Sequence, residues 1–192
     1  MKLLFASFLA AVAVFLWGFV SWMVLPWHQS QWARFTDEEA VAKVLQQNAQ
    51  ADPHLYVLPH RLNSEGGKVD DATWQAASMS GPFFYGTVRA GPRDEGLALL
   101  MVRSFLIQWL GAFFLALILQ HCPRQTLGGR VAVCVQAGVF AGIVAWVPEW
   151  NWWQLPPLVT AINILDIVIG ALVAGLVLAR LVHPHSHPYR TF

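Results

Sequence analysis

The sequence predicts a mainly α membrane protein: a four-transmembrane-helix bundle with a small α/β extracytoplasmic domain inserted between helices 1 and 2. Three observations predict it. The 192 residues are 56% hydrophobic and only 12% charged, where soluble domains carry about a quarter charged residues. Four apolar segments, Leu3–Leu25, Ala98–Gln120, Leu127–Val147 and Leu158–Val182, each approach the roughly 20 residues that cross a hydrocarbon core of about 30 Å. These segments are apolar nearly all round, whereas the helices of a soluble bundle keep a polar face at a period of about 3.6 residues.

The amino terminus, MKLLFASFLAAVAVFLWGFVSWMVLPWH, begins like a secretory signal, with Lys2, an apolar core and the small-residue triplet Ala11-Val12-Ala13. Apolar sequence runs on past that triplet to Leu25, so residues 1–26 read as a signal anchor that stays in the protein and forms the first span.

Residues 27–95 are polar and much too long for a turn, and they read as the extracytoplasmic domain. Thr36 followed by Glu39 is a capping box, with Asp37, Glu38 and Glu39 suited to the positive end of a helix dipole, so a helix is expected from Thr36 to about Asn48. His54–Leu58 before Pro59 reads as a strand. Asp70–Met79 reads as a short helix around Trp74, and Phe83–Val88 as a second strand closed by Gly91-Pro92.

The remaining elements follow as transmembrane helix 2 over residues 96–120, a cytoplasmic turn at 121–126, helix 3 over 127–147, a Trp-rich outer loop at 148–157, helix 4 over 158–182 and a His-rich cytoplasmic tail at 183–192. Arg124, Arg130, Arg180, Arg190 and Lys2 flank one set of ends, while Pro148–Pro157 has no Lys or Arg. The positive-inside rule then places both termini in the cytoplasm of a bacterial-type inner (plasma) membrane. Trp22, Trp27 and Trp32 on one side and Trp146, Trp150, Trp152 and Trp153 on the other cluster at the same outer boundary, where indoles favour the interface.

Chemistry concentrates at one place. Asp166 lies inside an apolar span with Asn163 one turn earlier, and intramembrane ionisable groups mark function or a fixed ion pair. Arg103, in the second span, is the candidate partner: from the outer boundary it lies about 9 Å deep and Asp166 about 12–15 Å, at a rise of about 1.5 Å per residue. Arg103, Asn163 and Asp166 therefore form the expected intramembrane polar site. Gly138 and Gly142 make a GxxxG, and Gly170 follows Asp166 on the same helix face, so these three glycines are expected at helix contacts. His183, His185 and His187 in HPHSHP are spaced to bind a divalent metal, although a solvated tail is the plainer reading. His28, His54 and His60 fit no ligand spacing.

Several classes are excluded or disfavoured. A net charge of +1 without a basic stripe gives no footprint for nucleic acid. Cys122 and Cys134 cannot make a disulfide framework. No GxSxG, GxxxxGK[ST], HExxH or CxxC is present, so no enzyme class is indicated. The phrase Ser21-Trp22-Met23-Val24-Leu25-Pro26-Trp27-His28 is distinctive but spells no chemistry. The expectation is a non-catalytic accessory or assembly subunit that meets membrane lipids and a protein partner, or another copy of itself, through its outer domain. The alternatives are an oligomeric transport or permeation component using Arg103, Asn163 and Asp166, and a metal-handling protein using the tail.

Overall fold

The computed structural model describes residues 1–93, 95–122 and 126–182. Two compact units emerge: Met1–Trp32 together with the chain from Glu95 onward, and Ala33–Asp94. Four helices of the first unit are long and apolar enough to cross a membrane. They are α1 (Lys2–Phe19), extended by a π-helical turn at Val20–Val24, α4 (Leu97–Gln120), α5 (Leu127–Trp153) and α6 (Pro157–Leu181).

The four helices are arranged as a row. α6 packs closely along α5 on one side and along α1 on the other, and α1 in turn packs along α4. α4 meets α5 and α6 only sparsely, which leaves a cleft between the two ends of the row.

Small residues set these contacts, because in a bilayer helices gain little from apolar burial and rely on close packing. A Cβ added at Gly138 of α5 would lie 2.5 Å from the Cβ of Ala171, and one at Gly175 of α6 would lie 2.9 Å from that of Cys134. Gly142 faces Ile164 in the same way, at 3.1 Å. At the α1–α4 contact, Trp109 donates its indole N–H to Ser7 Oγ at 3.1 Å while Ser7 donates to Leu4 O, so a buried hydroxyl is satisfied. Phe8 adds edge contacts to Phe105 and Trp109. Between α5 and α6, the buried Arg130 donates Nη2 to the carbonyl of Val182 at 2.7 Å, where the last carbonyls of α6 lack helical partners.

One boundary departs from the sequence expectation. The stretch expected as a Trp-rich loop from residue 148 is helical through Trp153, with Pro148 inside α5. Proline costs the helix one N–H, a loss that membrane helices tolerate when neighbouring groups take up the freed carbonyl. The helix stops instead at Gln154, a left-handed C-cap at φ 59°, and Leu155 N–H returns to Glu149 O. Pro157 then opens α6 at a first-turn position that needs no N–H.

Within Ala33–Asp94, α2 (Glu38–Asn48) starts one residue later than the capping box suggests. Asp37, not Thr36, is the N-cap and accepts from Ala40 N–H at 2.9 Å. A carboxylate in that position meets both the free amide and the dipole, which a hydroxyl does less strongly. β1 (His54–Leu58) and β2 (Phe84–Val88) pair antiparallel with Tyr56 opposite Gly86. Between them α3 (Asp71–Ser80) presents Trp74, whose N–H reaches Pro59 O at 3.1 Å and whose ring carries Arg61 at 4.0 Å, itself paired with Asp71.

Two tests follow from this packing. Gly138→Ala forces α5 from α6 and is expected to lower bundle stability by about 1–3 kcal/mol, seen as a lower melting temperature in detergent. Gly111→Ala, with no atom within 4 Å of the new methyl, should leave that temperature unchanged or raise it. In α3, hydrogen bonds from the side chain and backbone of Thr73 hold the Asp70 carboxyl below its ordinary 3.8. A folded value below the unfolded one makes this contribution full above the ordinary value and lost as pH falls through the folded one. Asp70→Ala should therefore speed hydrogen exchange over Asp71–Ser80 at neutral pH, with the difference from wild type vanishing in acid.

Candidate functional site

Asp166 sits in the third turn of α6, half-buried, and α1 brings its partners. Trp17 donates its indole N–H to Oδ1 at 2.8 Å. His28 Nε2 stands 3.6 Å from Oδ2, too far for a hydrogen bond but close enough to pair when the imidazole is protonated. The segment after α1 turns back to deliver that histidine. In the π turn, Leu25 N–H bonds to Val20 O at 2.9 Å. The next residue, Pro26, has no N–H to offer the carbonyl of Ser21, and Trp27 fills the gap by donating its indole N–H to Ser21 O at 2.9 Å.

Aromatic rings then enclose the imidazole. Trp22 stacks on His28 with ring centres 3.9 Å apart and an angle of 5°, and Trp27 meets it edge-on at 5.5 Å. His28 is left 6% exposed. Trp22 and Trp27, expected as interface anchors, are thus also the packing that fixes His28. Trp32 remains exposed, as an anchor would be.

Ser21, His28 and Asp166 together suggest a nucleophilic triad, and the geometry argues against one. Ser21 Oγ lies 3.2 Å from His28 Nε2, the same nitrogen that faces Asp166. A triad needs the acid on one ring nitrogen and the hydroxyl on the other. This arrangement orients groups; it does not relay a proton from serine.

Asp166 also faces a cleft of about 530 Å³. α1 and α6 form its back wall and α4 and α5 its flanks. The flanks are smooth, with Gly111 on α4 and Ala137, Gly138 and Ala141 on α5. Phe15, Trp17, Phe19 and Trp22 supply aromatic surface, and Ser104 and Gln108 are the polar groups opposite Asp166. A carboxylate anchored on one oxygen, at the wall of an apolar cleft, is the binding-site arrangement expected of a small-molecule pocket.

The other residues singled out in the sequence fall as follows. Arg103 meets Glu95 at 2.5 Å, not Asp166, because its long side chain reaches back to the start of α4. Asn163 is half-buried one turn from Asp166 and does not line the cleft. Gly170 lines it, with Val14 and Trp17 of α1 nearest its missing Cβ. Gln108 lines the cleft and Gln136 is exposed on α5. His183, His185 and His187 lie outside the described residues, and among the described residues no three His, Cys, Asp or Glu side chains are grouped to hold a metal. Sequence spacing misses Trp17 and His28 as partners of Asp166, and Ser21 as the partner of His28. Their only signal is the density of Ser, Trp, Pro and His at the end of the first span.

No known protein family, curated protein or solved structure matches the chain. Its chemistry has to be read from the site.

Trp17→Phe removes the donor to Asp166 but keeps the aromatic surface, whereas Asp166→Asn keeps an oxygen acceptor for Trp17. The expected order of melting temperatures in detergent is wild type, then Asp166→Asn, then Trp17→Phe. A hydrogen bond to a charged group contributes about 1.5–3 kcal/mol. Equal melting for wild type and Trp17→Phe would remove the anchor role of the indole.

Proposed function

We propose that this chain is a non-catalytic, multi-pass protein of a bacterial-type inner membrane that takes an amphiphilic molecule from the bilayer into the cleft between α4 and α5. Asp166 is the polar anchor of that site. In the orientation favoured by Lys2, Arg124, Arg130, Arg180 and Arg190, the Val24 end of the first span faces outward and both termini are cytoplasmic. Ala33–Asp94 is then extracytoplasmic, and Asp166 lies about 13 Å below the outer boundary at a rise of about 1.5 Å per residue.

The observation that carries this reading is the carboxylate itself. Asp166 faces an apolar cleft and, among the described residues, has a protein hydrogen-bond donor on only one of its oxygens. An acid kept in low dielectric without a tight ion pair is costly, and it is the usual mark of a substrate or ion pathway. The smooth Gly and Ala flanks suit a hydrocarbon body, and the sparse contact of α4 with α5 suits lateral access.

Photolabelling tests it. The protein is reconstituted in nanodiscs with a diazirine-bearing hexadecyl alcohol, and the adducts are mapped by mass spectrometry. Adducts are expected at cleft residues such as Gly18, Gln108 and Ala141, as well as on the exposed Ile107 and Phe140. Gly111→Phe fills the cleft from a position with no atom within 4 Å, so it should abolish the first group and spare the second. Labelling confined to Ile107 and Phe140 in wild type would overturn the reading.

A second reading, an accessory subunit that docks a protein partner through Ala33–Asp94, has its own support. Leu55, Met79 and Phe84 are exposed there, and among the described residues no third strand joins the two-stranded sheet. Gentle extraction followed by mass spectrometry distinguishes the two: a stoichiometric partner lost on deleting that unit favours docking.

A further inference from the structure

Resting on that reading, we propose that the amphiphile is a lipophilic cation, an ammonium or phosphonium centre on an apolar body, held by Asp166 against the aromatic wall of the cleft. The inference starts from charge balance. On α1 the only basic residue is Lys2, at the opposite end from Trp17. On α4, Arg103 is engaged by Glu95. On α5, Arg130 bonds to Val182 O near the end of α6 remote from Asp166, and on α6 Arg180 in the last turn bonds to Leu176 O. Among the described residues, no Lys or Arg meets the Asp166 carboxylate. His28 is the nearest base, and its Nε2 is shared with Ser21.

Shape and surface point the same way. Phe15, Trp17, Phe19 and Trp22 border the cleft beside the acid, and aromatic faces attract a cation in addition to its pairing with a carboxylate. A quaternary centre needs no hydrogen-bond donor, so the single anchored geometry of Asp166 can remain as it is, with Trp17 still on Oδ1. Apart from Ser104 and Gln108 the remaining lining is apolar, which disfavours a bare hydrophilic cation and admits one that already partitions into lipid. A neutral alcohol could donate one hydrogen bond to Asp166 but would bring no charge to balance it.

Equilibrium binding to protein in nanodiscs tests this, with radiolabelled tetraphenylphosphonium as the probe and triphenylphosphine oxide as its neutral counterpart. Saturable phosphonium binding is expected, competed by dodecyltrimethylammonium but not by the phosphine oxide. Asp166→Asn, which keeps the oxygen that Trp17 needs, should weaken it by roughly tenfold or more, and Gly111→Phe should remove it. Melting temperatures and unaltered labelling of Ile107 and Phe140 by the diazirine alcohol report that the variants are folded. Phosphonium binding no greater than to empty nanodiscs, or unchanged in Asp166→Asn, overturns the cation. If the diazirine alcohol still labels the cleft in that case, the amphiphile reading survives with a neutral ligand; if it does not, both fall together.

Discussion

Helices in lipid gain almost nothing from hiding apolar surface from one another, so backbone approach has to hold them together. α6 meets this constraint on two sides at once. Against α5, Gly138 and Gly175 leave no room for a side chain, and Gly142 leaves little. Against α1, Gly170 lies beside Val14 and Trp17. A helix clasped on both faces cannot also close onto α4, and the row that results leaves a cleft. The cavity is thus a consequence of where the small residues lie.

The polar cluster depends on the same clasp. Trp17 reaches Asp166 because α1 and α6 approach closely one turn from Gly170, and the indole then fixes one oxygen of the acid. His28 is positioned by a separate device: a π turn, a proline without an N–H and an indole that takes over the orphan carbonyl of Ser21. Each step satisfies a group that the previous one left unpaired, as buried polar networks must. The far side of the carboxylate is where that sequence stops.

Much of this is legible in the amino-acid sequence. Apolar runs of the right length make the four long helices plain, and short runs of aromatic and aliphatic residues ending at Pro59 and before Gly91-Pro92 mark the two strands. Pro148 misleads because helix-breaking rules are calibrated in water, where the freed carbonyl and lost N–H compete with solvent. Asp166 stands out as an acid among apolar residues. Its partners do not, because periodicity within one segment says nothing about which segment folds back. Arg103 looks like the natural counter-ion by depth alone, yet a long side chain near a helix start has Glu95 within reach, and local geometry wins.

A static role for Asp166 has to explain why the chain keeps the charge. If the acid served only to join α1 to α6, an amide would still accept the Trp17 hydrogen bond, more weakly but without the cost of an ion in low dielectric. Asn163, one turn away, shows that the helix accommodates an amide. An apolar pair would serve still better, since glycine and alanine set the approach of α5 to α6. What the carboxylate adds over either substitute is a negative charge at the wall of a cleft, faced by His28 on one side and by the cleft on the other.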